Sequence, residues 1–111
     1  MKADDLFEMS NISREESGLP VRIWVSSKMS AAERHGPRVK VELPGQGSPT
    51  IPVLLKMDIT SEDVVGYDKL PAKVLNPLRN FINLNYDILI QYWNDEISTK
   101  QMILSIKTIA R

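Results

Sequence analysis

The sequence predicts an α+β fold in which a small antiparallel sheet of about three strands packs against two C-terminal helices. Three observations predict it. Apolar and polar residues alternate with a period of two in three short segments between residues 19 and 59. The apolar spacing becomes helical after residue 71, and prolines and glycines separate the segments. At 111 residues, the chain has the length of one ordinary domain.

The first 17 residues are expected to form a flexible acidic arm. They contain five acids and two bases, show little periodicity and end just before Gly18. A segment that buries so little apolar surface cannot offset an ordering cost of about 1–2 kcal/mol per residue. The single folded domain is therefore expected to span residues 18–111.

Three strands are predicted, each with one apolar face. They come from LPVRIWVSS (residues 19–27), RVKVEL (38–43) and IPVLLKMDI (51–59), and the apolar face of the third includes Met57. Pro52 has no amide donor, so the third strand is expected to start at an edge of the sheet or to leave that position unpaired. Pro37 should bias Gly36 toward extended backbone where the second strand begins.

Two helices are predicted after an acidic connection over residues 58–68, which has room for one helical turn. The longer helix should begin near Pro71 and end near Asn94 in a left-handed conformation. Pro77 predicts a kink, or a restart with Asn76 as N-cap. The STKQ sequence at residues 98–101 is a capping box that opens the last helix.

The predicted core joins the apolar faces of the strands and helices, and Asn85 is the one polar member of the long helix's apolar stripe. The core residues are Val21, Ile23, Val25, Val39, Val41, Val53, Leu55, Phe81, Ile82, Ile88, Leu89 and Ile106.

Composition excludes several kinds of function. Without cysteine there are no disulfides or thiolate metal sites, and one histidine cannot build a nitrogen-ligated metal site. Fourteen bases balance fourteen acids, whereas a dedicated nucleic-acid binder is usually strongly basic. The first ten residues have acids where a secretion signal needs a basic start and an apolar run, so no such signal is expected, and no apolar stretch reaches the ~20 residues of a membrane span. A cytoplasmic protein without cofactor or membrane contact is expected.

The candidate functional surface is a basic cluster on the first two strands and the loop between them. An aromatic ring among cations is how sheet surfaces bind single-stranded nucleic acid, by stacking and phosphate contact. The alternative is a solvated face on which lysine and arginine stems cover the indole. The candidate anion or nucleic-acid face comprises Arg22, Trp24, Arg34, His35, Arg38 and Lys40.

No catalytic constellation is found, and an enzyme is not expected. No motif pairs His35 with a nucleophile or a carboxylate, and there is no Gly-x-Ser-x-Gly elbow. The acids of residues 58–68 lack the pattern of a calcium loop. Residues 27–36 are expected to be a mobile connecting loop with His35 exposed and no ligand bound.

Two stretches resemble a family of very small bacterial proteins known as a domain of unknown function. RHGPRVKVELPG (34–45) is similar to its His-x-Pro motif at the start of a strand, and PLRNFINLNYDILIQYWNDEIST (77–99) to its Leu- and Trp-rich helix. GLPVRIWVSS (18–27) fits its first strand, so the resemblance covers about residues 18–106. Where members often have further histidines, this chain has Arg38 and Lys40.

The resemblance carries no reaction or cofactor, and implies at most a toxin–antitoxin-like setting. The expected function is a non-enzymatic bacterial protein-interaction module that acts through a protein partner. The alternative is an RNA- or DNA-binding regulator, or a toxin–antitoxin-like component, that uses the basic sheet face.

Overall fold

A computed structural model describes residues 9–26, 36–42, 50–65 and 70–109 of the protein. They form a four-stranded antiparallel sheet with a long helix packed against one face. The strands are β1 (Met9–Ile12), β2 (Arg22–Ser26), β3 (Arg38–Glu42) and β4 (Ile51–Leu54); the α-helices are α1 (Arg14–Ser17), α2 (Ala72–Trp93) and α3 (Thr99–Ser105), and a 3-10 helix spans Ser61–Asp63. The predicted α+β class is confirmed, with one strand more than expected.

The strands lie in chain order, and each is antiparallel to the next. Successive side chains of a strand point to opposite faces, so the register fixes which residues share a face. One row on the core face crosses all four strands and consists of Ile12, Ile23, Val41 and Ile51, all of them buried. Pro52 lies in β4 at the edge of the sheet, as predicted.

The prediction of a flexible arm over residues 1–17 is wrong for residues 9–17, and the domain does not begin at residue 18. β1 pairs with β2, and Ile12 is fully buried. Ser13 and Glu16 form a capping box at the start of α1, and Gly18 ends the helix with a φ of +83°. The acids therefore stabilise a helix N-terminus instead of keeping the segment unfolded. Residues 1–8 lie outside the described residues.

The long helix α2 is continuous through Pro77, so the predicted restart at Asn76 is wrong. The Asn76 side chain does not cap a helix; its Oδ1 accepts a hydrogen bond from Arg79 Nη1 at 3.1 Å. The helix ends after Trp93 as expected, but Asn94 has a φ of −81°, and Asp95 takes the left-handed conformation instead. The predicted capping box of α3 is confirmed, with Ser98 as N-cap.

The predicted core is confirmed for ten of its twelve residues, which are buried, while Ile88 and Ile106 are partly buried and pack against it. Two local expectations are wrong. Met57 is 46% exposed, because β4 ends at Leu54 and the chain turns before Met57. Gly36 is left-handed, with a φ of +70°, instead of extended.

Asn85 explains why a polar residue interrupts the apolar stripe of α2. It is 2% exposed, and its side-chain amide bonds to both the carbonyl and the amide of the Lys107 backbone. Its Nδ2 donates to the Lys107 carbonyl at 2.9 Å, and its Oδ1 accepts from the Lys107 amide at 2.7 Å. Asn85 therefore fixes the segment that follows α3 against the long helix.

Candidate functional site

The outer face of the sheet, opposite the core face, carries the candidate residues of β2 and β3. One row crosses all four strands in the order Asn11, Trp24, Lys40, Pro52. Arg22 lies opposite Glu42, and Arg38 lies opposite Leu54, in the neighbouring rows. The long helix packs on the core face, so these eight side chains are exposed or partly exposed. We call these eight residues the outer face.

The alternation of β2 and β3 is what presents these side chains. In each strand every second residue is a buried valine or isoleucine, which fixes the intervening polar residues outward. The sheet therefore holds Trp24 and Lys40 as direct neighbours, with their Cβ atoms ~5 Å apart as in any antiparallel pair. Trp24 is partly buried, so its ring is both supported by neighbours and open to a ligand.

The outer face has an excess of positive charge. Arg22, Arg38 and Lys40 are its three cations and Glu42 its one carboxylate, which leaves a net charge of +2. None of these four side chains makes a hydrogen bond or an ion pair within the described residues; the ion pair found there joins Lys56 to Asp63 at 3.2 Å. Among the residues that the structure describes, the cations therefore have no partner that their removal would disturb.

Arg38 has an unusual environment within this face. Its side chain is partly buried, and its Nε is shielded from water without a hydrogen-bond partner in the described part of the chain. Buried donors without acceptors are rare in proteins, and each costs about 1–3 kcal/mol. No described interaction offsets this cost.

The structure brings together four of the six predicted site residues: Arg22, Trp24, Arg38 and Lys40 share one face. Arg34 and His35 lie outside the described residues, as does the predicted loop from residue 27 to 35. Glu42 belongs to the face but was not among the predicted site residues, although the alternation of RVKVE places it on the side of Arg38 and Lys40. Asn11 was not predicted either, because β1 was not expected.

The described residues hold a groove and a perturbed carboxyl outside the outer face. A groove of about 670 Å³ runs between α2 and the segment after α3, lined by Leu84, Ile88 and Lys107 among others. The Thr60 backbone amide, together with the Lys56 ammonium, lowers the pKa of the Asp63 carboxyl below its usual value. Asp63 caps the 3-10 helix, so its ionisation serves the fold.

Within residues 9–26, 36–42, 50–65 and 70–109 there is no cluster of three histidine, cysteine or acidic side chains placed to hold a metal ion. In the same residues no helix has the length and apolar character needed to cross a membrane. No protein-family model matches the chain, and neither a curated protein nor a solved structure matches it. The resemblance to the bacterial domain of unknown function thus stays an expectation.

Proposed function

We propose that this protein is a non-enzymatic interaction module that binds an acidic segment of a protein partner through the outer face, in the bacterial cytoplasm. The observation that carries the proposal is Trp24, partly exposed at the centre of a face whose three cations have no partner in the described structure. Trp and Arg are the residues most enriched where binding energy concentrates in protein interfaces.

Charge complementarity favours an acidic partner. A patch with three cations and one carboxylate attracts an acidic segment and speeds its encounter. Trp24, Pro52 and Leu54 add apolar surface among these charges, which suits a peptide whose apolar side chains alternate with acids. The apolar side chains of such a peptide would exclude water from the contacts between its acids and the cations, which strengthens those contacts.

A direct test measures, by fluorescence anisotropy at low salt, how tightly the protein binds a fluorescein-labelled decapeptide of glutamate. Lys40→Glu should weaken binding about tenfold or more, because it reverses a charge beside Trp24. Lys73→Glu is the matched control: it changes the net charge equally but lies exposed in α2. Its effect should stay within about threefold. Equal losses in both variants would show attraction to the overall charge and not to the outer face.

Single-stranded nucleic acid is the second candidate, favoured by one observation: an aromatic residue, Trp24, is the cross-strand partner of a cation, Lys40. Stacking of one base on an aromatic ring contributes about 1–3 kcal/mol, so Trp24→Ala should weaken binding of a labelled thymidine decamer by about fivefold or more. The affinity should also fall steeply with salt. If the thymidine decamer binds more tightly than the glutamate peptide and shows both effects, nucleic acid replaces the protein partner.

A further inference from the structure

We infer that Arg38 is the specificity-determining residue of the outer face: its guanidinium pairs with a carboxylate of the acidic partner. The inference rests on the proposed function and adds to it the residue that distinguishes a carboxylate from other ligand groups.

The state of Arg38 in the free protein is the first reason. Its Nε–H is shielded from water and lacks an acceptor in the described residues. No described hydrogen bond or ion pair holds the side chain. The guanidinium can therefore turn toward an incoming carboxylate without breaking any bond to the described residues, and its Nε–H gains an acceptor that it lacks in the free state. Arginine presents Nε–H and Nη–H as parallel donors that match the two oxygens of one carboxylate.

The neighbours of Arg38 distinguish it from the other two cations. Arg22 is exposed and lies opposite Glu42, whose carboxylate repels a ligand carboxylate there. Lys40 offers a compact ammonium that binds carboxylate without a fixed geometry. Arg38 lies opposite the apolar Leu54, and fewer competing water molecules strengthen a charge-assisted hydrogen bond. The cation with the best geometry thus also has an apolar neighbour and an Nε that is shielded from water.

The same layout favours a peptide over a nucleic acid. A nucleic acid carries a phosphate at every nucleotide, so a strand that follows this face would bring phosphate close to Glu42. A peptide needs carboxylates only opposite the cations. Trp24 is also the one aromatic residue among the eight of the outer face, whereas nucleic-acid platforms stack two or three bases.

The test compares Arg38→Lys with Arg22→Lys, in the full chain, for binding of the labelled glutamate decapeptide. Both variants keep the charge and remove the planar donor pair. Arg38→Lys should weaken binding about tenfold, and Arg22→Lys less than about threefold. Arg38→Gln and Arg22→Gln repeat the comparison without the charge, and the larger loss should again fall at position 38. Circular dichroism melts establish that all four variants are folded.

The outcomes separate this inference from the proposed function. If Arg38→Lys binds like the unmodified protein while Lys40→Glu does not bind, the face binds acidic ligands but Arg38 is not its selector. If the glutamate peptide does not bind even at low salt, the proposed function fails and the inference with it. Tighter binding of the thymidine decamer, lost in Arg38→Lys, overturns the inference in favour of phosphate. A dimer in light scattering that Arg38→Lys dissociates overturns it in favour of a second copy of the chain.

Discussion

Replacing Asn85 by alanine should destabilise the protein by about 2–3 kcal/mol, a large share of the about 5–15 kcal/mol that stabilises a typical domain. Asn85 makes two hydrogen bonds to the backbone of Lys107, at 2.7 and 2.9 Å, and a third to the Phe81 carbonyl at 3.0 Å. The Phe81 carbonyl keeps its helical partner in the variant, so only the two bonds to Lys107 leave groups unpaired.

The magnitude follows from those two groups. A net loss of about 1 kcal/mol per hydrogen bond gives about 2 kcal/mol, and the two bonds are partly buried, so water replaces the lost amide incompletely, which raises this further. The higher helix propensity of alanine returns about 0.5 kcal/mol. Local opening should follow the same contact, so the amides of residues 106–109 should exchange hydrogen faster in the variant.

Asn83→Ala is the matched control, because Asn83 lies two residues earlier in the same helix and bonds to Asp58 twice at 2.9 Å. Those bonds are exposed to solvent, so their loss should cost less than about 1 kcal/mol. Urea unfolding followed by circular dichroism measures both variants. If the two alanine variants differ by less than about 0.5 kcal/mol, the Lys107 backbone is hydrated and Asn85 does not hold the C-terminal segment.

Two further substitutions test the fold. Gly18→Ala should destabilise the protein by about 2 kcal/mol or more, because φ is positive and a Cβ would clash with the Ile109 carbonyl. Gly36→Ala is the control: φ is positive there too, but the space is open, so the cost should be only about 1–2 kcal/mol. Equal urea midpoints for the two variants would contradict the clash. Asp63→Asn should lose stability near neutral pH, and the difference from the unmodified protein should narrow in acid. The folded-state pKa of Asp63 is lowered, so its contribution is present above the unfolded pKa of about 3.9 and lost as the pH falls through the folded value. A difference that is constant from about pH 7 to about pH 2.5 would show that ionisation is not the cause.

Strand alternation was enough to predict most of the fold, because a half-buried strand must place its apolar residues on one side. It predicted strands β2, β3 and β4, and it predicted that the side chains of Val39 and Val41 point into the core. The α3 capping box was equally readable, since Ser98 and Gln101 make a local contact that depends on no tertiary structure. Local rules succeed where the stabilising contacts are themselves local.

The N-terminal segment shows where this reasoning stops. Ser13 and Glu16 form a capping box with the same spacing as the box at Ser98, and this signal was present in the sequence. The acidic composition and the weak periodicity of the segment point the other way, to an unfolded arm. The stability of β1 comes from distant contacts that no local pattern encodes: Ile12 is buried in the core, and Ser10 Oγ is hydrogen-bonded to the Tyr92 hydroxyl at 2.6 Å.

The candidate site was only partly predictable for a related reason. Alternation within β2 or β3 assigns each residue to a face, but only the register between strands decides which residues are neighbours. The register places Glu42 opposite Arg22 and leaves Arg38 beside Leu54, so cations that look equivalent in the sequence have different surroundings. The unpaired Nε of Arg38 is a further consequence of packing, and no sequence pattern indicates it.

The residues whose polar contacts stabilise the fold and the residues proposed to bind the partner lie on opposite faces of the sheet. Asn85 and Tyr92 are buried on α2, which packs on the core face, and each makes hydrogen bonds to distant parts of the chain. The cations of the outer face make no such contacts within the described residues. Charged side chains that the fold does not use can be replaced without unfolding the protein. Asn85→Ala should accordingly lower the urea midpoint while the folded protein keeps its affinity for the glutamate peptide, and Lys40→Glu should do the reverse. A loss of both properties in either variant would show that the outer face and the core are coupled.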